Sequence, residues 1–131
     1  MIPALTEAAM SLVGTPFRLH GRNVTTGLDC VGLVAEALRR AGHPASTPEG
    51  YSLRSIDTAR WLRHAEMSHL VPVGQAGDIV LCRTNPLQPH LLVSVVDGFV
   101  HAHASLGKVT HLQGSLPWPI MMQWRLSSKE S

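Results

Sequence analysis

Aromatic residues are scarce in this chain, with three Trp, one Tyr and two Phe among 131 residues. Basic residues are equally dispersed: Lys and Arg never run longer than the pair Arg39-Arg40, and the formal net charge is only +2. A nucleic-acid groove needs a concentrated positive track, and a single-strand binder also needs stacking rings, so no nucleic-acid partner is expected. Long apolar runs are missing too, and no stretch approaches the ~20 residues that a membrane-spanning helix requires. The N-terminus lacks a basic flank, and its apolar run is interrupted by Thr6, Glu7 and Ser11. It therefore reads as a helix of the folded domain and not as a signal peptide, which predicts synthesis in the cytoplasm without a leader. With only Cys30 and Cys82 there is no disulfide framework, and in a reducing compartment each thiol needs its own explanation.

What is present fits one packed domain over residues 1–126, followed by a polar tail, 127–131, that is expected to be disordered. Leu5, Ala8, Ala9 and Leu12 recur at helical spacing until Gly14-Thr15-Pro16 stops the pattern. Residues 30–41 place Val31, Val34, Leu38 and Ala41 on one face and Glu36 and Arg40 on the other, with Gly42 as the stop. A Gly-, Asn- and Thr-rich loop from Leu19 to Leu28 joins the two, and a third helix is expected from about Ser55 to Met67. After Gly77 the period changes. Asp78–Cys82, His90–Val96, Phe99–Ala104, Val109–Leu112 and Ile120–Leu126 read as strands, and Asp97-Gly98 reads as a two-residue hairpin turn. Helices first and strands afterwards predict an α+β domain with N-terminal helices packed on one antiparallel sheet.

Cys30 falls in Gly27-Leu28-Asp29-Cys30-Val31-Gly32, at the first turn of the second helix. A helix N-terminus carries partial positive charge and unpaired N–H groups, which favour thiolate over thiol and can also donate to an oxyanion formed beside the sulfur. Asp29 is a natural N-cap there. Cys82, in an apolar strand, reads as a small core hydrophobe.

A nucleophilic cysteine needs a base, usually His, and the chain has eight. His43, His64, His69 and His111 fall at helix ends or in loops and read as solvated. His90, Ser94, His101 and His103 share one face of the proposed hairpin, because side chains alternate along a strand. One imidazole can take the thiol proton while a second fixes its tautomer. The same histidines admit a zinc reading, with His90, His101 and His103 as ligands. Positions 101 and 103 lie about 7 Å apart along a strand, which is wide for one ion, and neither H-E-x-x-H nor C-x-x-C occurs. No metal and no cofactor are therefore expected.

Taken in order, Gly14-Thr15-Pro16-Phe17-Arg18, Gly27 to Val34, Gly77-Asp78-Ile79-Val80, His90-Leu91-Leu92-Val93 and Phe99-Val100-His101-Ala102 resemble the NlpC-type cell-wall peptidases, a papain-like family. The resemblance implies a papain-like fold and cleavage of peptidoglycan stem peptides, typically between D-glutamate and a diamino acid. It implies Cys30 as nucleophile, His90 as base and His101 as the residue orienting that base. It also implies that Asp29, with Phe17, Arg18 and His20 nearby, contacts substrate. Three departures stand out. Phe17 occupies the position of a tyrosine and has no hydroxyl to offer an oxyanion, which leaves Arg18, His20 or backbone N–H groups. Val31 stands where serine is frequent. The hairpin turn is short, so bare registry brings His103 closer to His90 than His101, whereas the resemblance favours His101, and His101 is the expected partner.

Two other readings stay open: a catalytically weak binding module in a phage-tail or wall-associated assembly, and a hydrolase of the same fold acting on another amide or ester. Without a leader, delivery to the wall would run through phage lysis, a phage tail or a secretion machine, each of which implies a partner.

Overall fold

A computed structural model describes residues 3–45, 64–85 and 88–126. Helix α1 (Pro3–Ser11) forms where the apolar residues repeat, and it buries Leu5, Ala8 and Ala9 together with Leu12 just beyond it. Gly14, at φ +96°, turns the chain out of the helix in the left-handed region that glycine tolerates. Helix α2 (Cys30–Arg40) is capped by Asp29, whose carboxylate accepts from the Gly32 N–H at 2.9 Å. On its solvent side Arg40 meets Glu36 at 2.9 Å, while Val31, Leu33, Val34 and Leu38 are buried. The segment between the helices, expected to be loop, carries a short hairpin of β1 (Arg22–Asn23) and β2 (Gly27–Leu28). The helix expected from Ser55 lies outside the described residues, except that residues 64–67 are helical.

The remaining strands are β3 (Leu70–Val73), β4 (Ile79–Asn85), β5 (Gln88–Val95), β6 (Gly98–His103), β7 (Lys108–Gln113) and β8 (Ile120–Leu126). They form one six-stranded sheet in the order β3-β8-β4-β5-β6-β7, and every pairing is antiparallel. The architecture is α+β, as the order of helical and strand-like segments predicts. Leu5, Leu12, Val34 and Leu38 of the helical layer join Ile79, Leu81, Leu91, Val93, Val100 and Trp124 of the sheet in one core. Strand β3 escaped the sequence reading because Pro72 sits in its middle; proline survives there because β3 lies at the edge of the sheet, paired among the described residues with β8 alone. No helix among the described residues is long and apolar enough to cross a membrane.

One register differs from expectation. The β5–β6 turn is Val96-Asp97, with Val95 opposite Gly98 and Ser94 opposite Phe99, so Asp97-Gly98 is not the turn pair. Neither Val96 nor Asp97 takes positive φ, so the left-handed backbone that Asp-Gly offers goes unused. Gly98 serves a different need: it begins β6, and a Cβ on it would collide with the Leu112 carbonyl oxygen of β7. The shift relative to the expected pairing is two residues. An even shift preserves which side chains share a face, so His90, His101 and His103 remain together.

Candidate active site

The buried start of α2 is the foundation of the site. Asp29 is completely buried, and its carboxylate also accepts from the His20 N–H at 2.8 Å and pairs with Arg22 Nη1 at 3.2 Å. Gly32 lets the helix start approach the Gly21 carbonyl so closely that a Cβ would not fit. These contacts lock the first turn of α2, and Cys30 is its first residue, only 2% exposed. The segment before it is tied down as well: Phe17 N–H donates to the Gly107 carbonyl at 2.8 Å, and Pro16 bridges to Lys108. Those links set Phe17 against the β6–β7 turn.

Cys30 opens into a cleft of about 190 Å³ whose wall includes Phe17, His90, His101, His103 and Trp118. His90 Nε2 lies 3.0 Å from His101 Nδ1, with the rings edge to face at 5.2 Å. Of the two histidines weighed as partner to His90, the structure places His101 in hydrogen-bond contact. The β5–β6 ladder ends at the Val93–Val100 pair, so simple extrapolation of the hairpin does not apply at His90. His103 bonds elsewhere, its Nδ1 accepting from the Leu106 N–H at 3.2 Å. Trp118 lies across the pair, its ring 6.2 Å from that of His90 and 5.9 Å from that of His101.

Three of the residues expected to contact substrate do not line this wall. Asp29 points inward as a cap, His20 is exposed at φ +63° with its N–H given to Asp29, and Arg18 is exposed with its N–H given to Leu28. Helix capping explains the arrangement, because the carboxylate that stabilises the first turn must face its N–H groups.

The electrostatics correct one expectation. A helix N-terminus favours a thiolate, yet the Cys30 thiol is pushed up to about 12, chiefly by burial and further by the neighbouring Asp29 carboxylate. Backbone N–H groups of Leu91 and Val31 and the Arg22 charge pull in the other direction without offsetting it. The Leu91 contact sets the sulfur against β5 one residue from His90. Burial, followed by the fields of His101 and His103, holds His90 down at about 3, and burial with the field of His103 holds His101 at about 4. Burial thus favours a thiol beside neutral imidazoles over an ion pair.

Outside the cleft, Cys82 is fully buried opposite His90 on β4, and burial raises its thiol to about 12. Two of the four histidines read as solvated depart from that reading. His111 Nε2 meets Asp97 Oδ1 at 2.9 Å, and His43 has a buried Nε2 with no hydrogen-bond partner among the described residues. Among the described residues, no three His, Cys, Asp or Glu side chains are grouped to hold a metal ion.

No protein-family model and no curated protein sequence matches the chain. Solved structures do. The chain is 20% identical to the NlpC/p60 domain of the peptidoglycan hydrolase SagA, with a TM-score of 0.55 over 85% of this chain and 87% of that one. It is also 20% identical to an NLP/P60-family protein, similar to lipoprotein, from Staphylococcus aureus subsp. aureus Mu50. There the TM-score is 0.58 over 94% of this chain but only 40% of that one. The fold is that of the NlpC/p60 domains.

Within this NlpC/p60 fold the cleft has wall residues that sequence reasoning missed, chiefly Trp118, Thr84 and Ser105. Trp118 had a legible signal. It stands between Pro117 and Pro119 in the short segment before β8, and flanking prolines stiffen a loop that presents a large ring. Thr84 and Ser105 offered none, because their relevance comes only from strands and turns that converge in space.

Proposed function

We propose that the chain is a cysteine hydrolase that cleaves an amide bond in peptidoglycan stem peptides, of the γ-D-glutamyl–diamino acid type. The observation that carries this reading is the cleft in which Cys30, at the head of a helix, shares a wall with a hydrogen-bonded His90–His101 pair. The NlpC/p60 fold, shared with a domain of the peptidoglycan hydrolase SagA, supports the substrate class.

In this reading His101 Nδ1 accepts the hydrogen of His90 Nε2, which leaves the lone pair of His90 Nδ1 free to take a proton. Because the resting pair is neutral, the thiol proton moves to His90 as the sulfur attacks the amide carbonyl, in the same step that develops charge on the carbonyl oxygen. First-turn N–H groups of α2 stabilise that oxygen, a role that Phe17 cannot share without a hydroxyl. The tetrahedral species expels the amine, which takes the proton from His90, and a thioester remains. Water, deprotonated by His90, attacks the thioester and releases the acid, and Cys30 recovers its proton. Asp29 acts as a positioning residue that fixes the helix head.

The test is incubation of the chain with a panel of stem peptides, followed by mass detection of the products. One cleavage site is expected, with Cys30→Ala and His90→Ala each reducing the rate by at least about 10³-fold. Absence of cleavage of every stem peptide by the parent chain overturns the reading. The hydroxyl-free Phe17 favours the binding-module alternative as the second reading, and peptide binding without turnover would support it.

A further inference from the structure

His103 is the third imidazole of the cleft, and nothing in the proposed reaction uses it. It closes β6, and its ring lies 5.2 Å from that of His101, tilted by 58°. Its Nδ1 accepts from Leu106 N–H at 3.2 Å, and a nitrogen that accepts cannot carry the hydrogen of a neutral imidazole. The hydrogen therefore sits on Nε2, which has no partner among the described residues. The turn that imposes this tautomer is itself held at both ends. Gly107 N–H returns to the His103 carbonyl at 2.8 Å, and the Gly107 carbonyl receives Phe17 N–H at 2.8 Å. The donor is thus preorganised before any ligand arrives, which is how a site avoids spending binding energy on ordering its own groups.

The surroundings say what the donor suits. Among the described residues, the cleft wall contains three imidazoles and no Asp or Glu. An N–H donor in a partly dry wall without acidic neighbours is matched best by an anionic oxygen, because charge-assisted hydrogen bonds are the stronger kind. Resting on the hydrolase reading above, we propose that His103 is a specificity residue whose Nε2–H donates to a carboxylate of the peptide flanking the scissile amide.

The experiment uses the L-Ala-γ-D-Glu-diaminopimelate peptide and two versions, one amidated at the D-glutamyl α-carboxylate and one at the diamino acid carboxylate next to the scissile bond. Affinity is measured calorimetrically on the Cys30→Ala chain, and KM and kcat are measured on the active chain. One of the two amidated peptides is expected to bind about tenfold more weakly. His103→Ala should erase that difference, and His103→Gln, which keeps an N–H donor, should restore part of it. In the active chain His103→Ala should raise KM and leave kcat within about twofold, since the residue contacts substrate and not the reacting atoms. Discrimination that persists in His103→Ala overturns the proposal, as does a fall in kcat at unchanged KM. Discrimination that depends on His103 in a chain that cleaves nothing supports the carboxylate site while sinking the hydrolase reading. Cleavage without any role for His103 does the reverse.

Discussion

At the head of α2, the Cys30 thiol feels two opposing influences. The helix dipole and nearby N–H groups favour the thiolate, while burial and the Asp29 carboxylate favour the thiol. The thiol wins, because a sulfur that is 2% exposed loses nearly all hydration of its charged form. Alkylation of Cys30 by iodoacetamide should therefore be slow near pH 7 and rise through pH 9 and above, with no fast plateau in acid; Cys82→Ala supplies the background. Asp29→Asn keeps a capping oxygen and removes the carboxylate charge that raises the thiol, so it should speed labelling at a fixed pH. Equal or slower labelling would show that Asp29 acts on the thiol through structure alone. Sequence made Cys30 and its cap legible, since both depend on neighbours in the chain. The direction of the thiol shift was not, because it depends on how much sheet is packed over the helix end.

The elements show how local signals were met or redirected. Helices α1 and α2 and strand β8 formed where apolar period and stop residues placed them. The Asp97-Gly98 signal was real, but its glycine answers a crowding problem between β6 and β7. Gly98→Ala should consequently cost about 2–3 kcal/mol in urea unfolding, as overpacking against backbone does. A loss within about 0.5 kcal/mol would mean that the strands separate easily. The rigid Pro-Trp-Pro segment before β8 makes its own prediction. Trp118→Ala uncovers the His90–His101 pair, so the pH at which the His90 ring titrates in an NMR series should move up from about 3 toward the ordinary 6.5. An unchanged titration would place the desolvation elsewhere in the cleft.

Over the whole molecule, the two depressed histidines link folding to pH. Each has a folded value below that of the unfolded chain, so between the two values the unfolded state binds more protons and stability rises with pH. The chain should lose stability as the pH falls below about 6.5, and this loss should continue toward about 4 for His101 and about 3 for His90. Cys30 has the opposite sign: its raised folded value makes stability fall as the pH climbs from 9.0 toward about 12. Urea midpoints across acid pH check the first arm, where a His90→Gln chain should show a shallower slope than the parent.

Much of the chain was decided by sequence alone. The helical repeats, the Asp29 cap, the strand-like runs after Gly77 and the alternation that gathers His90, His101 and His103 all depend on short spacings along the chain. An error of two residues in the hairpin did not disturb the last of these, since strand parity survives an even shift. Only the tertiary structure decided which histidine meets His90, where Trp118 and Phe17 stand, that Pro72 lies in an edge strand, and that the thiol rests protonated. Each of these depends on groups far apart in sequence approaching within a few ångströms, and on the water that their packing removes.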